Sequence, residues 1–111
     1  MKDVELLIEN ERWQSAVNRI YYSMFYMLMA LSVKYKFETS KHQQLIGWFN
    51  KTFVKEQIIN SKYSKFIKKA YEYRTRGDYN DFIEFEKSDV LQMFEDMNEF
   101  IYEIEKFINK E

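Results

Sequence analysis

The fold is decided by residues 13–35, which read WQSAVNRIYYSMFYMLMALSVKY. Within this stretch Trp13, Val17, Ile20, Met24, Met27, Leu31 and Tyr35 recur at intervals of four, three, four, three, four and four. Such spacing keeps side chains on one side of a 3.6-residue turn, so it predicts one stripe of a long helix over roughly residues 11–36. Ala16, Tyr21, Phe25, Leu28 and Met29 carry the apolar arc past a single face. A helix apolar over so much of its circumference has to be covered from several sides. It is expected at the centre of a bundle, and its girdle is also the expected contact between subunits. The apolar run Ile20–Val33 inside it is no membrane span. It is shorter than the about 20 residues a crossing needs, and it contains Tyr21, Tyr22, Ser23, Tyr26 and Ser32.

Working outward, Val4, Leu7 and Ile8 predict a short first helix that the polar run Glu9-Asn10-Glu11 interrupts. On the other side, Thr39 and Ser40 are N-cap residues for a third helix with the stripe His42, Leu45, Ile46, Phe49 and Phe53. Lys55–Ser61 reads as a loop. Asn60, Ser61 or Ser64 caps a fourth helix, on which Tyr63, Ile67, Ala70 and Arg74 form one line, flanked by Phe66 and Tyr71. Gly77 suits the left-handed residue that often closes a helix, with residues 78–81 continuing as a turn. Ser88 is the expected cap of the last helix, where Val90, Phe94, Met97, Ile101, Ile104 and Ile108 repeat, with Met93, Phe100 and Phe107 alongside. The reading is an all-α, up-and-down bundle of four main helices plus a short N-terminal helix, one domain over residues 1–111. Composition agrees. Two glycines and no proline leave little material for the tight turns of a β-rich fold, while 46% hydrophobic residues suffice for a core.

The formal net charge of −1 conceals a split. Residues 34–76 carry eleven Lys or Arg against three acids, and residues 77–111 carry three Lys against eleven acids. Either the basic helix lies along the acidic last helix and the two neutralise each other, or a basic face is free to attract a phosphate backbone. With no cysteine and one histidine, neither a disulfide nor a zinc site is expected, and the Glu-x-x-His spacing of di-iron bundles is missing. No glycine loop cradles phosphates. We expect no metal and no cofactor. No secretory pattern opens the chain, so a cytoplasmic protein with no membrane association is the expectation.

Arg74 carries the most chemistry. It extends the apolar line of its helix and so points inward or into an interface, where a guanidinium needs acceptors. It is either bridged to an acid, Asp78 being nearest in sequence, or it is an anion clamp, because its planar fork grips phosphate oxygens in pairs. Arg76 is expected at the solvent side, and Asp78 and Tyr79 follow closely enough to share a pocket with Arg74. His42, in the first turn of its helix beside Lys41, is the only side chain that titrates near neutrality unaided. The helix dipole there favours neutral imidazole, and its shared face with Leu45 and Ile46 predicts a partly buried, hydrogen-bonded ring. Tyr21, Tyr22 and Tyr26 sit on the central helix, which can hold phenols only if each hydroxyl finds a partner.

The run Ala16-Val17-Asn18-Arg19-Ile20-Tyr21-Tyr22-Ser23-Met24-Phe25 resembles the A-x-x-R-x-Y-Y-x-x-F signature of HEPN domains. Lys41-His42 and Arg74-Thr75-Arg76-Gly77-Asp78-Tyr79 are similar to further segments of that family, in the same order, over residues 4–108. The resemblance implies a helical homodimer that often works beside a minimal nucleotidyltransferase. It also implies a toxin of a toxin–antitoxin pair or a metal-independent ribonuclease. In such ribonucleases an arginine is separated by four to six residues from a following histidine, which activates a ribose hydroxyl while the arginine stabilises phosphorane charge. Arg74 matches the arginine. The histidine window, Tyr79-Asn80-Asp81, holds none, and a phenol with pKa near 10 is a poor base at neutral pH. The expectation is therefore a component that binds nucleotide or RNA phosphate through Arg74, Arg76, Asp78 and Lys41, with a degenerate or weak ribonuclease site. One alternative is an active ribonuclease using Arg74 with His42 or Tyr79 as the catalytic residues. Another is a non-catalytic structural or protein-interaction module.

Overall fold

A computed structural model describes residues 2–79 and 85–110, with side chains through residue 76 in the first stretch. Among the described residues five α-helices run in order: α1 (Lys2–Glu9), α2 (Trp13–Lys34), α3 (His42–Phe49), α4 (Ser61–Tyr79) and α5 (Lys87–Ile108). A π-helical turn, Asn50–Val54, continues α3. α2 packs against each of the other four, as its wide apolar arc requires. The expected all-α bundle is what the chain forms, and among the described residues there are no strands.

The buried face of α2 is Ala16, Val17, Ile20, Tyr21, Met24, Phe25, Leu28, Leu31 and Ser32. Most of the girdle is spent inside the subunit. What remains outside is a narrower line that includes Tyr22, Tyr26 (61% exposed) and Val33 (65% exposed). On α5 the two apolar lines read from sequence merge, and the buried set is Val90, Met93, Met97, Phe100 and Ile104. Phe94, Ile101, Phe107 and Ile108 pack at its edges. In the third segment Leu45, Phe49 and Phe53 are buried as the stripe predicts, while His42 is only partly so.

Helix ends depart from the sequence reading in an instructive way. Three of them close by the same motif. Arg12 N–H bonds the Leu7 carbonyl (2.8 Å) and Glu11 N–H that of Ile8 (3.0 Å). Phe37 and Lys36 repeat the pair onto Ser32 and Val33, and Ile58 and Gln57 onto Phe53 and Val54. Each is a Schellman closure, whose pivot must be left-handed. The pivots are Glu11, Lys36 and Gln57, with φ of 57°, 60° and 60°. Gly77, expected in this role, lies within α4, which continues to Tyr79. The turn expected over residues 78–81 starts in that helix and otherwise falls outside the described residues. Ser88 does not cap α5, because the helix already begins at Lys87 with Glu86 as its cap. Asn60 does cap α4: its Oδ1 accepts the Lys62 N–H at 2.9 Å. Thr39 Oγ1 accepts the Lys41 N–H at 3.2 Å just ahead of α3, where Lys41 itself is the cap residue.

The basic and acidic segments meet only in part. Lys62 bridges Glu99 at 2.9 Å, with both side chains about half exposed, so the pair contributes little. The Tyr73 hydroxyl donates to Asp89 (3.2 Å), and Lys34 Nζ donates to the terminal carbonyls of α5. Lys41, Lys65 and Lys68 remain exposed.

Candidate functional site

On the α4 line Tyr63, Ile67 and Ala70 are buried, and Arg74 emerges one turn further as a partly buried cation. It does point inward, toward α2. Its Nε donates to Asn18 Oδ1 at 3.1 Å. Its guanidinium carbon lies 4.9 Å from the Tyr22 ring centroid and 5.6 Å from that of Tyr21. The α2 run Asn18, Tyr21, Tyr22 and Phe25 follows three- and four-residue steps, so all four line one stretch of that helix. An aromatic shelf plus one amide acceptor thus orients the fork.

The start of α3 lands on the same shelf. The His42 ring stacks on Phe25 with centroids 3.9 Å apart and planes at 14°. The Tyr21 hydroxyl lies 2.6 Å from His42 Nδ1. Burial pushes the Tyr21 phenol well above its ordinary range, although the Arg74 charge pulls the other way. Burial, and then the Arg74 charge, holds His42 below its ordinary value of 6.5. Both groups are therefore neutral at physiological pH. The bond joins a protonated phenol to a neutral imidazole, and its direction follows the imidazole tautomer.

An open groove of about 570 Å³ is bordered by Lys41, His42, Gln43, Gln44, Tyr22, Tyr71 and Arg74. On its other side Arg74 borders a smaller hollow of about 260 Å³ with Gln14, Ser15 and Asn18. Arg74 lines both openings. Of the residues singled out from sequence, Lys41, His42 and Arg74 come together here. Arg76 does not: it is exposed, and its guanidinium lies 4.8 Å from the Tyr73 ring centroid. The side chains of Asp78 and Tyr79 fall outside the described residues. Asn18, Gln14 and Ser15 were not anticipated, since polar residues on an outer helix face look alike whether they face water or a ligand. Arg19, the arginine of the Ala16–Phe25 run, bridges Asp3 at 3.1 Å and ties α1 to α2. Among the described residues, no group of three or more His, Cys, Asp or Glu is gathered as a metal site would need. Among them too, no helix is long and apolar enough to cross a membrane.

The arrangement can hold an anion: a guanidinium, a flexible ammonium and an imidazole border one opening. Comparison with known proteins points to one family. The family profile described as "HEPN domain" matches residues 1–107. A Thermotoga maritima protein named "UPF0332 protein" is 40% identical over 108 residues, spanning 97% of this chain and 82% of that one. Two Methanocaldococcus jannaschii proteins are similar as well. "Putative toxin MJ0142" is 32% identical over 94% of this chain and 71% of its own length, and "Putative toxin MJ0605" is 31% identical over 96% and 73%.

Proposed function

From the premise that this chain belongs to the HEPN domain family, we propose that it binds RNA or nucleotide phosphate at the Arg74 groove. On this reading it is the toxin-type member of a toxin–antitoxin pair, acting in the cytoplasm with a nucleotidyltransferase partner. The toxin names of the two archaeal relatives support that setting. Residues 1–111 act as one domain. One observation carries the site: His42 and Lys41, from the start of α3, border the same open groove as Arg74 from the end of α4.

The chemistry follows from the two aromatic anchors. Arg74, oriented by Asn18 and the Tyr21/Tyr22 shelf, brings to the groove a planar guanidinium whose shape matches phosphate oxygens, with Lys41 adding an unoriented charge. In this reading the Tyr21 phenol is the donor to Nδ1, which leaves His42 an Nε2–H to donate to the anion. Cleavage would require a base to take the proton from a ribose 2′-hydroxyl. For His42 to serve, its Nε2 must lose the proton and Nδ1 gain it, which reverses the Tyr21 hydrogen bond. Binding is thus well served and catalysis poorly, so any ribonuclease activity is weak. The alternative, a working ribonuclease, draws support from the same proximity of His42 to Arg74. Exposed Tyr26 and Val33 on the outer line of α2 support a homodimer through that face.

The test measures RNA and ATP binding to wild type and Arg74→Ala over a salt series, and RNA integrity in EDTA. The reading expects wild-type binding that weakens with salt and falls about tenfold or more in the variant, with RNA largely intact. Equal affinities for the two proteins would overturn it. Rapid cleavage in EDTA that Arg74→Ala abolishes would favour the ribonuclease. Co-purification with the product of a neighbouring nucleotidyltransferase gene tests the partner.

A further inference from the structure

A second hollow of about 410 Å³ lies between α3, the π-helical turn and α4. We propose that it takes an unpaired base of a single-stranded RNA whose phosphate sits at Arg74, an inference that rests on the function proposed above. The hollow shares Gln43 and Tyr71 with the Arg74 groove, so the two openings adjoin. Its character differs from that of the groove. Ile46 and Tyr71 supply apolar wall, and Asn50, Ser64 and Gln43 supply groups that both donate and accept hydrogen bonds. On its rim Lys68 is balanced by Glu72. An apolar wall with a few neutral polar groups suits a flat heterocycle, whereas phosphate is drawn to the Lys41/Arg74 end.

The π-helical turn builds this hollow. Lys55 N–H bonds the Asn50 carbonyl at 2.8 Å, which widens the chain by one residue per turn. Asn50 Oδ1 is fixed by the Ser64 hydroxyl at 2.6 Å, so the amide is oriented and its N–H groups are directed away from that bond. Arg74 also borders the Gln14/Ser15/Asn18 hollow, which gives a strand a second place to lie. A single nucleotide would fill only one arm, while a strand uses both. A base held in a pocket must be unpaired, so duplex RNA is excluded.

The experiment follows a dye-labelled short RNA by fluorescence anisotropy in three forms: single-stranded, single-stranded with abasic sites, and duplex. Proteins are wild type, Arg74→Ala, and a rim variant combining Gln43→Ala with Lys68→Ala. For wild type the abasic strand should bind about 5- to 10-fold more weakly than the intact one, and the duplex more weakly than either. The rim variant should narrow the gap between intact and abasic strands. If Arg74→Ala weakens binding but wild type holds both strands equally, the base pocket is refuted and the phosphate reading stands. An undiminished gap in the rim variant likewise puts the base elsewhere. If wild type binds no RNA, or as well without Arg74, the phosphate reading fails and takes the pocket with it. AMP that displaces the strand at its own low concentration would assign the trough to a mononucleotide and overturn the strand.

Discussion

Replacing Tyr21 by phenylalanine removes one oxygen from the centre of the site and little else. The Tyr21 ring is fully buried, and its contacts with Tyr22, Phe25 and Tyr71 do not use the hydroxyl. What is lost is the 2.6 Å bond to His42 Nδ1. A buried neutral hydrogen bond contributes about 0.5–1.5 kcal/mol, and the orphaned acceptor on a partly exposed imidazole can turn to water, so about 1 kcal/mol is expected. In a domain of this size that lowers Tm by roughly 4–6 °C. A second consequence is more specific. The donated phenol proton blocks protonation at Nδ1, so Tyr21→Phe should raise the His42 titration midpoint and free its tautomer. Thermal unfolding by circular dichroism reads the first effect, and nitrogen-15 NMR of the imidazole through a pH series reads the second. A wild-type His42 that carries its proton on Nδ1, or a destabilised variant whose His42 keeps the wild-type midpoint, would refute the proposed direction of the hydrogen bond.

Other consequences follow from the same geometry. Arg74→Gln should raise the His42 midpoint but leave it below 6.5, because burial is the larger cause and the Arg74 charge the smaller; NMR titration reads it. Because His42 titrates below its unfolded value, the stability it contributes is fully present above pH 6.5 and is lost as pH falls from there toward its folded value; chemical denaturation at a series of pH values, with His42→Gln as control, measures this. Lys36 pays the left-handed cost of a side chain at φ 60°, so Lys36→Gly should stabilise by up to about 1 kcal/mol after the added flexibility of the unfolded glycine, seen as a higher Tm.

The helical bundle was legible because α2 and α5 each carry a repeating apolar line long enough to outweigh local ambiguity. Helix ends were less so. Glycine is the usual signal for a left-handed closure, and this chain places Glu11, Lys36 and Gln57 there instead. Nothing in those side chains announces the role; it is imposed by the carbonyls of the preceding turn. Arg74 was legible as an inward cation because it falls on a line of buried residues. Its acceptor Asn18 was hidden among the solvated-looking positions of α2, and the Tyr21–His42 bond joins residues that only the packing of α3 on α2 brings together. Arg76, two positions after Arg74, lies on another side of α4 and packs on Tyr73 instead.

In the proposed function an anion from outside reaches the Arg74 guanidinium. NMR of the arginine Nε–H resonances during addition of single-stranded RNA tests it most directly. The Arg74 signal, assigned through Arg74→Lys, should shift saturably and return as salt is raised. An Arg74 signal that stays fixed while RNA saturates the protein would contradict the account.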